Sequence, residues 1–247
     1  MTTFLRDTAT VFTREITPSV REPVGLLFEM GQPLLFLFLF GSLLDRAVGS
    51  SWQWFVPGIL VMMCLSGPMA AGYTLLVDLI GGSMERMLVT PLNRTAMLVG
   101  RTMKTMVVLL CQAVLIIVLA LPLGFRPHPA GVLAGLAMLV AFGVGLGALS
   151  FVLAIKSAPD GTLFYVVTQV LLFPLLLLSG VLLPMDSGPG WLWVVGRLNP
   201  ITYIVDAQRA LFAGDLTDLS VLYGTAATLL VAALGLVLGN RAMRQGI

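Results

Sequence analysis

Charged residues disappear from five stretches of the chain, each about 20 residues long or more, the length a helix needs to cross a ~30 Å hydrocarbon core. These are 53–77, 105–125, 131–155, 163–183 and 219–240; a sixth, 23–44, is interrupted only by Glu29. In lipid only helices with internally satisfied backbones or closed barrels are viable, and these runs are far too long for barrel strands. The pattern predicts an all-α membrane protein with six transmembrane helices.

The first 22 residues have a different rhythm. Phe4, Leu5, Thr8, Phe12 and Ile16 recur at helical spacing, with Arg6, Asp7, Arg14 and Glu15 elsewhere on the surface. This predicts an N-terminal interfacial amphipathic helix, ended by Pro18 and Pro23 before the first span. Three links are short, 45–52, 126–130 and 156–162, and two connections are longer, 78–104 and 184–218. Recognition is expected in those two, because loops carried on a rigid scaffold are where function concentrates. Pro57, Pro68 and Pro174 fall inside spans and predict packing kinks. The glycine pairs 131/135, 143/147 and 235/239 have the spacing that lets membrane helices approach closely.

Composition agrees with the pattern. Hydrophobic residues make up 58% of the 247 residues and charged residues 11%, with a mean hydropathy of +0.99. A soluble domain is nearer a quarter charged. A net charge of +2 gives no reason to expect nucleic acid. Cys64 and Cys111 both fall inside predicted spans and read as apolar packing residues, and a single histidine, His128, argues against a histidine metal site. The first 22 residues lack the apolar core of a signal peptide. Ten of the 14 lysines and arginines fall on the side that holds both termini, and four on the other. The positive-inside rule then places both termini in the cytoplasm, in a multi-pass protein of the plasma (inner) membrane.

In the longer cytoplasmic connection, Ser83 is placed to cap a short helix with Met84, Met87 and Leu88 on one face and Glu85 and Arg86 elsewhere; Thr90-Pro91 ends it. Apolar knobs beside a charged pair suit docking into a groove on a soluble partner, and equally suit rest on the lipid surface. In the external connection Asn199 is placed to cap a helix that has Pro200 at its first position. Ile201, Ile204, Val205, Leu211 and Phe212 form an apolar stripe, while Thr202, Asp206 and Arg209 occupy another face, where Asp206 and Arg209 can pair. Trp191 and Trp193 precede it as headgroup-level anchors. Too short and too polar to cross the bilayer, this segment is expected to dip in and return.

These motifs make the chain resemble the membrane (permease) subunit of the ABC-2 family of ATP-binding-cassette exporters, in particular the daunorubicin-resistance type. The likeness covers nearly the whole chain, 1–247, as a single transmembrane domain. Gln32-Pro-Leu-Leu-Phe-Leu-Phe-Leu-Phe-Gly41 is similar to the family's first span. Gly82-Ser-Met-Glu-Arg-Met-Leu-Val-Thr-Pro91 is similar to its coupling segment, and Leu198-Asn-Pro-Ile-Thr-Tyr-Ile-Val-Asp-Ala-Gln-Arg209 to the motif before its last span. The resemblance implies that Ser83, Met84, Glu85, Arg86, Met87, Leu88 and Pro91 form the coupling helix that contacts an ABC ATPase subunit. It implies likewise that Asn199, Pro200, Tyr203, Asp206 and Arg209 belong to the external re-entrant motif.

It further implies two permeases, a second copy or a related chain, working with two ATPase subunits in the lipid bilayer. Those subunits would hold ATP and Mg²⁺, and this chain would bind no cofactor. No G-x-x-x-x-G-K-[ST] phosphate loop occurs in the sequence, so the chain is not expected to be an enzyme. The expected cargo is a hydrophobic or amphipathic drug, lipid or lipid-linked metabolite moving outward. An ion-coupled secondary transporter is the competing reading, and it would need charged residues within the spans. Only Glu29 qualifies, and it lies where interfacial water or Arg21 can relieve it. A membrane-embedded enzyme would need a nucleophile with a base, or metal ligands, converging near the membrane.

Overall fold

The computed structural model describes residues 2–21, 23–48, 51–82, 94–182 and 189–246, and among these there are helices and turns but no strand. In chain order the helices are α1 (Thr2–Arg21), α2 (Pro23–Val48), α3 (Ser51–Ile80), α4 (Arg94–Ala120) and α5 (Pro129–Ser157). An interrupted helix follows, made of α6 (Thr162–Val166), a π-helical turn (Val167–Leu171) and α7 (Leu172–Leu177). The chain closes with α8 (Gly190–Leu198), α9 (Pro200–Ala213) and α10 (Leu219–Gly246). Among the described residues, four stretches are long and apolar enough to cross a membrane: Trp52–Ile80, Thr95–Leu123, Pro129–Ser157 and Leu219–Ala242.

Most spans extend a few residues beyond the uncharged runs, and three boundaries differ for a specific physical reason. The helix expected from 105 begins at Arg94, because a helix need not stop where charge begins: Arg101 is buried against carboxylates of α1 and α3. The helix α1 runs through Pro18 to Arg21 instead of breaking there. A proline in the final turn forfeits one backbone bond, and only three residues follow it. The expected span 163–183 stops being helical at Leu177. Pro174, which donates no N–H, stands just past the π-turn, and Gly180 turns the chain with a φ of +73°.

The bundle is organised around α3, whose most apolar window is 61% buried, against 22% for α10. Phe55, Val56, Ile59 and Leu60 of α3 share one core with Ile116 of α4, Leu139 and Phe142 of α5, and Ile204, Val205 and Phe212 of α9. A smaller core at the other end joins Val11 of α1, Leu75 and Leu76 of α3, Met97 of α4 and Phe151 of α5. The longest contact is α5 along α10. It is set by glycine: a Cβ on Gly145 would lie 2.6 Å from the Ala232 Cα, and a Cβ on Gly235 would collide with the Gly145 carbonyl oxygen. Without a hydrophobic force between helices in lipid, such backbone-to-backbone packing supplies the attraction. Two buried side chains bond across helices: the Ser150 hydroxyl donates to Pro68 O at 2.8 Å, and the Cys64 thiol to Leu139 O at 3.3 Å.

Candidate functional site

Polar side chains collect at the two ends of the bundle. At the end that holds α1, the Arg101 side chain is 7% exposed. Its Nε lies 3.4 Å from the Glu15 Oε1 of α1, and its Nη2 donates to the Asp78 Oδ2 of α3. One guanidinium on α4 thereby holds a carboxylate from each of two other helices. Helix α1 is close enough for this because Gly100 has no side chain: a Cβ there would stand 2.9 Å from the Val11 Cβ and 3.0 Å from Thr8 O. Asp78 lies in the last turn of α3 and Arg101 two turns into α4, so the cluster ties together the two helices that the connection 83–93 joins. Ser83, Met84, Glu85, Arg86, Met87, Leu88 and Pro91 lie in that connection, outside the described residues.

At the opposite end α9 is buried, not laid on the surface: Ile204, Val205 and Ala207 are fully enclosed. Asn199 accepts the Ile201 N–H at 3.0 Å, which caps the helix, and its amide donates to Leu175 O at 2.7 Å. The Thr202 hydroxyl lies 2.8 Å from Gly196 O and 3.4 Å from Leu178 O, and the Tyr203 hydroxyl donates to Arg197 O at 2.9 Å. Arg209 does most. Its Nη1 lies 3.6 Å from Asp206, its Nε donates to Trp54 O at 3.1 Å, its Nη2 donates to Gly180 O at 2.7 Å, and its Cζ stands 3.9 Å from the Trp54 ring centre.

Three of these bonds, to Leu175 O, Leu178 O and Gly180 O, have one cause. A helix ends with carbonyls that have no partner, and in a membrane each one left unpaired costs several kcal/mol. The interrupted helix α6–α7 stops short and exposes the carbonyls of Leu175, Leu178 and Gly180, and the side chains of α9 pair with them. Of the five residues singled out in this motif, Asn199, Tyr203, Asp206 and Arg209 make side-chain contacts, and Pro200 supplies the helix start. The sequence reading passed over Gln208, fully buried with its amide donating to Gly135 O at 2.9 Å. The glycine it meets was visible only as half of a spacing motif. Asp218 accepts the Ser220 N–H at 2.7 Å at the start of α10, which holds its carboxyl below the ordinary carboxylate range.

Beside the core at the α1 end, α3 and the interrupted helix present a third feature. The Tyr73 and Tyr165 hydroxyls lie 3.4 Å apart, with ring centres at 6.0 Å, on a face that otherwise exposes Val170, Leu171 and Phe173. The π-turn beside them is a geometry that recurs at functional sites. Glu29 lies on an exposed face of α2. Among the described residues no three His, Cys, Asp or Glu side chains come together to hold a metal.

Comparison with known proteins converges with this architecture. The sequence profile of the ABC-2 type transporter family matches residues 6–213. A putative transport permease, ycf38, of Cyanophora paradoxa is 32% identical over 202 residues, covering 78% of this chain and 69% of that protein. The daunorubicin resistance ABC transporter permease protein DrrB1 of Streptomyces coeruleorubidus is 27% identical over 202 residues, covering 78% of this chain and 70% of its own. A probable multidrug ABC transporter permease, YbhR, of Escherichia coli K12 is 22% identical over 166 residues, which cover 66% of this chain and 45% of that one. With apolar helices of membrane-spanning length and a match over most of its length, the chain belongs to the ABC-2 type transporter family and is a multi-pass membrane transport permease.

Proposed function

We propose that this permease is the membrane half of an ATP-driven exporter, working with a separate ABC ATPase subunit that binds ATP and Mg²⁺. On this reading it crosses the plasma membrane six times, through α2, α3, α4, α5, the interrupted α6–α7 and α10, with α8 and α9 as the external re-entrant segment. The bias of ten basic residues to four supports cytoplasmic termini. A second copy or a related permease completes the pathway, with Tyr73 and Tyr165 facing it as hydroxyl contacts for an amphipathic cargo. The drug-resistance role in the name of the Streptomyces relative supports a hydrophobic or amphipathic substrate moving outward.

The observation that carries the proposal is the double carboxylate grip on Arg101, which ties together the two helices that the connection 83–93 joins. A force applied to that connection by an ATPase is passed to α1, α3 and α4 together, because all three share one buried guanidinium. Nucleotide binding then shifts the permease between two states through rigid-body movement of these helices. Glu85 and Arg86 make the contact, with Met84, Met87 and Leu88 as packing knobs between the Ser83 cap and Pro91. Purifying the tagged chain from its native host tests this by partner identification and ATPase assay. Recovery of an ABC ATPase that is lost with Glu85→Lys supports the reading. A homogeneous chain with no ATPase, under conditions that preserve a known ABC complex, overturns it.

A further inference from the structure

A groove of 710 Å³ opens on the outer side of the bundle, floored by α5 and walled by α4 and α10. Its lining includes no residue of the Arg101 or Arg209 clusters and neither Tyr73 nor Tyr165. Along α4 it runs from Thr95 to Leu110, about 23 Å at 1.5 Å per residue. Its two ends differ in chemistry. Its polar residues, Thr95, Thr102 and Asn240, lie at the α1 end beside Leu98 and Val99, whereas apolar side chains such as Met106 and Val144 line the remainder. Lys104 is the last charged residue before the uncharged run of α4, so the polar end is at headgroup level and the apolar end within hydrocarbon. Arg241 adjoins Asn240 in the chain and is exposed near the end of α10.

We infer that this groove is a binding site for a single anionic phospholipid of the leaflet facing the α1 end. The occupant must be polar and anion-favouring at one end and apolar at the other, with the change falling where the bilayer itself changes. A phospholipid has that profile. A neighbouring transmembrane helix does not, since it would need an apolar groove along a whole ~30 Å crossing. Basic residues beside a gap between transmembrane helices hold anionic headgroups, each contributing about 1 kcal/mol near the surface, or about fivefold in affinity. The acyl chain fills the volume lined by Met106 and Val144, and the phosphate sits between the Thr95 and Asn240 ends. The inference is independent of the direction of transport and of which side of the membrane is cytoplasmic.

The test is native mass spectrometry of the purified full chain with phosphatidylglycerol or phosphatidylcholine of identical acyl chains. The expected result is one phosphatidylglycerol retained per chain under conditions that strip bulk lipid, in preference to phosphatidylcholine. Arg241→Gln should cut that preference about fivefold without changing phosphatidylcholine retention. Val107→Trp, which fills the apolar end from a position 37% exposed, should reduce retention of both lipids. Leu133→Trp, 72% exposed and outside the groove, should change neither and serves as the surface control. Equal retention of the two lipids by the wild-type chain, or wild-type retention in Val107→Trp, overturns the inference. So does rapid oxidative crosslinking of Met103→Cys between two copies, which would assign the groove to a protein interface.

Discussion

The Arg101 cluster predicts an inequality between two ways of dismantling it. In Arg101→Met the charge is replaced by an apolar chain of similar length in a well-enclosed place. The carboxylates left behind, Glu15 at 29% and Asp78 at 31% exposed, are rehydrated. Replacing a buried ion by a packed apolar group is often close to neutral, so this variant should melt within about 1 kcal/mol of the parent. The double variant Glu15→Gln, Asp78→Asn is the reverse case. It leaves a guanidinium at 7% exposure without an opposing charge, which costs about 3–5 kcal/mol. At about 2–4 °C per kcal/mol for a chain near this size, the drop is about 6–20 °C, against less than about 4 °C for Arg101→Met.

Melting can be followed in detergent through a thiol-reactive fluorophore, since Cys64 is buried and becomes reactive only on unfolding. A Cys111→Ala background removes the exposed thiol. The same pair separates stability from coupling. Arg101→Met should be a stable protein that associates with its ATPase but couples hydrolysis poorly to transport, because α1, α3 and α4 are no longer held by one group. If the double carboxylate variant proves the more stable of the two, or if Arg101→Met transports at the parental rate, the account of the cluster is wrong.

Arg209→Lys keeps the charge but cannot reach Trp54 O and Gly180 O with one planar fork; losing one charge-assisted bond of about 1.5–3 kcal/mol should lower the same melting temperature by about 3–12 °C. Gly145→Leu should destabilise by at least about 1–3 kcal/mol in that assay, since even its Cβ would lie 2.6 Å from the Ala232 Cα. Gly147→Ala on the same helix meets nothing nearer than the Pro68 Cβ at 4.0 Å and should melt at or above the parental temperature. Asp218, with its folded pKa lowered from 3.8 by the Ser220 bonds, stabilises the start of α10 above the unfolded value. That contribution disappears as pH falls through the lowered folded value. Protection factors at Ser220–Tyr223, which remove the intrinsic pH dependence of amide exchange, should therefore fall on acidification in the wild type but stay flat in Asp218→Asn, which caps without titrating.

The helical membrane class and the α9 cap were legible because each rests on local chemistry. Uncharged runs of spanning length admit few other folds, and Asn199-Pro200 writes a helix start in two residues. The i, i+3 spacing of Asp206 and Arg209 also carried their pairing. What Arg209 does beyond that was not legible, because its carbonyl partners come from Trp54 and Gly180, distant in sequence and silent in side-chain pattern. Arg101 was hidden differently. Counted among cytoplasmic charges, it read as a solvated boundary, and nothing local marks Glu15 or Asp78 as its partners. The Gly145–Gly235 crossing fell outside the spacing motifs on one side, since close approach depends on what faces a glycine more than on its neighbours four residues away.

The pairing of the α7 carbonyls with α9 side chains bears on how the protein is made. Ribosomes deliver the chain from the N-terminus, so Leu175, Leu178 and Gly180 reach the membrane while Asn199, Thr202 and Arg209 are still to come. Between Gly180 and Arg209, synthesis at about 5–20 residues per second leaves a window on the order of 1–6 s. During it the end of the interrupted helix must borrow water or insertion machinery for its bonds. A nascent chain arrested or truncated before α9 carries that deficit permanently, a chemical mark by which membrane quality control can tell an unfinished permease from a finished one.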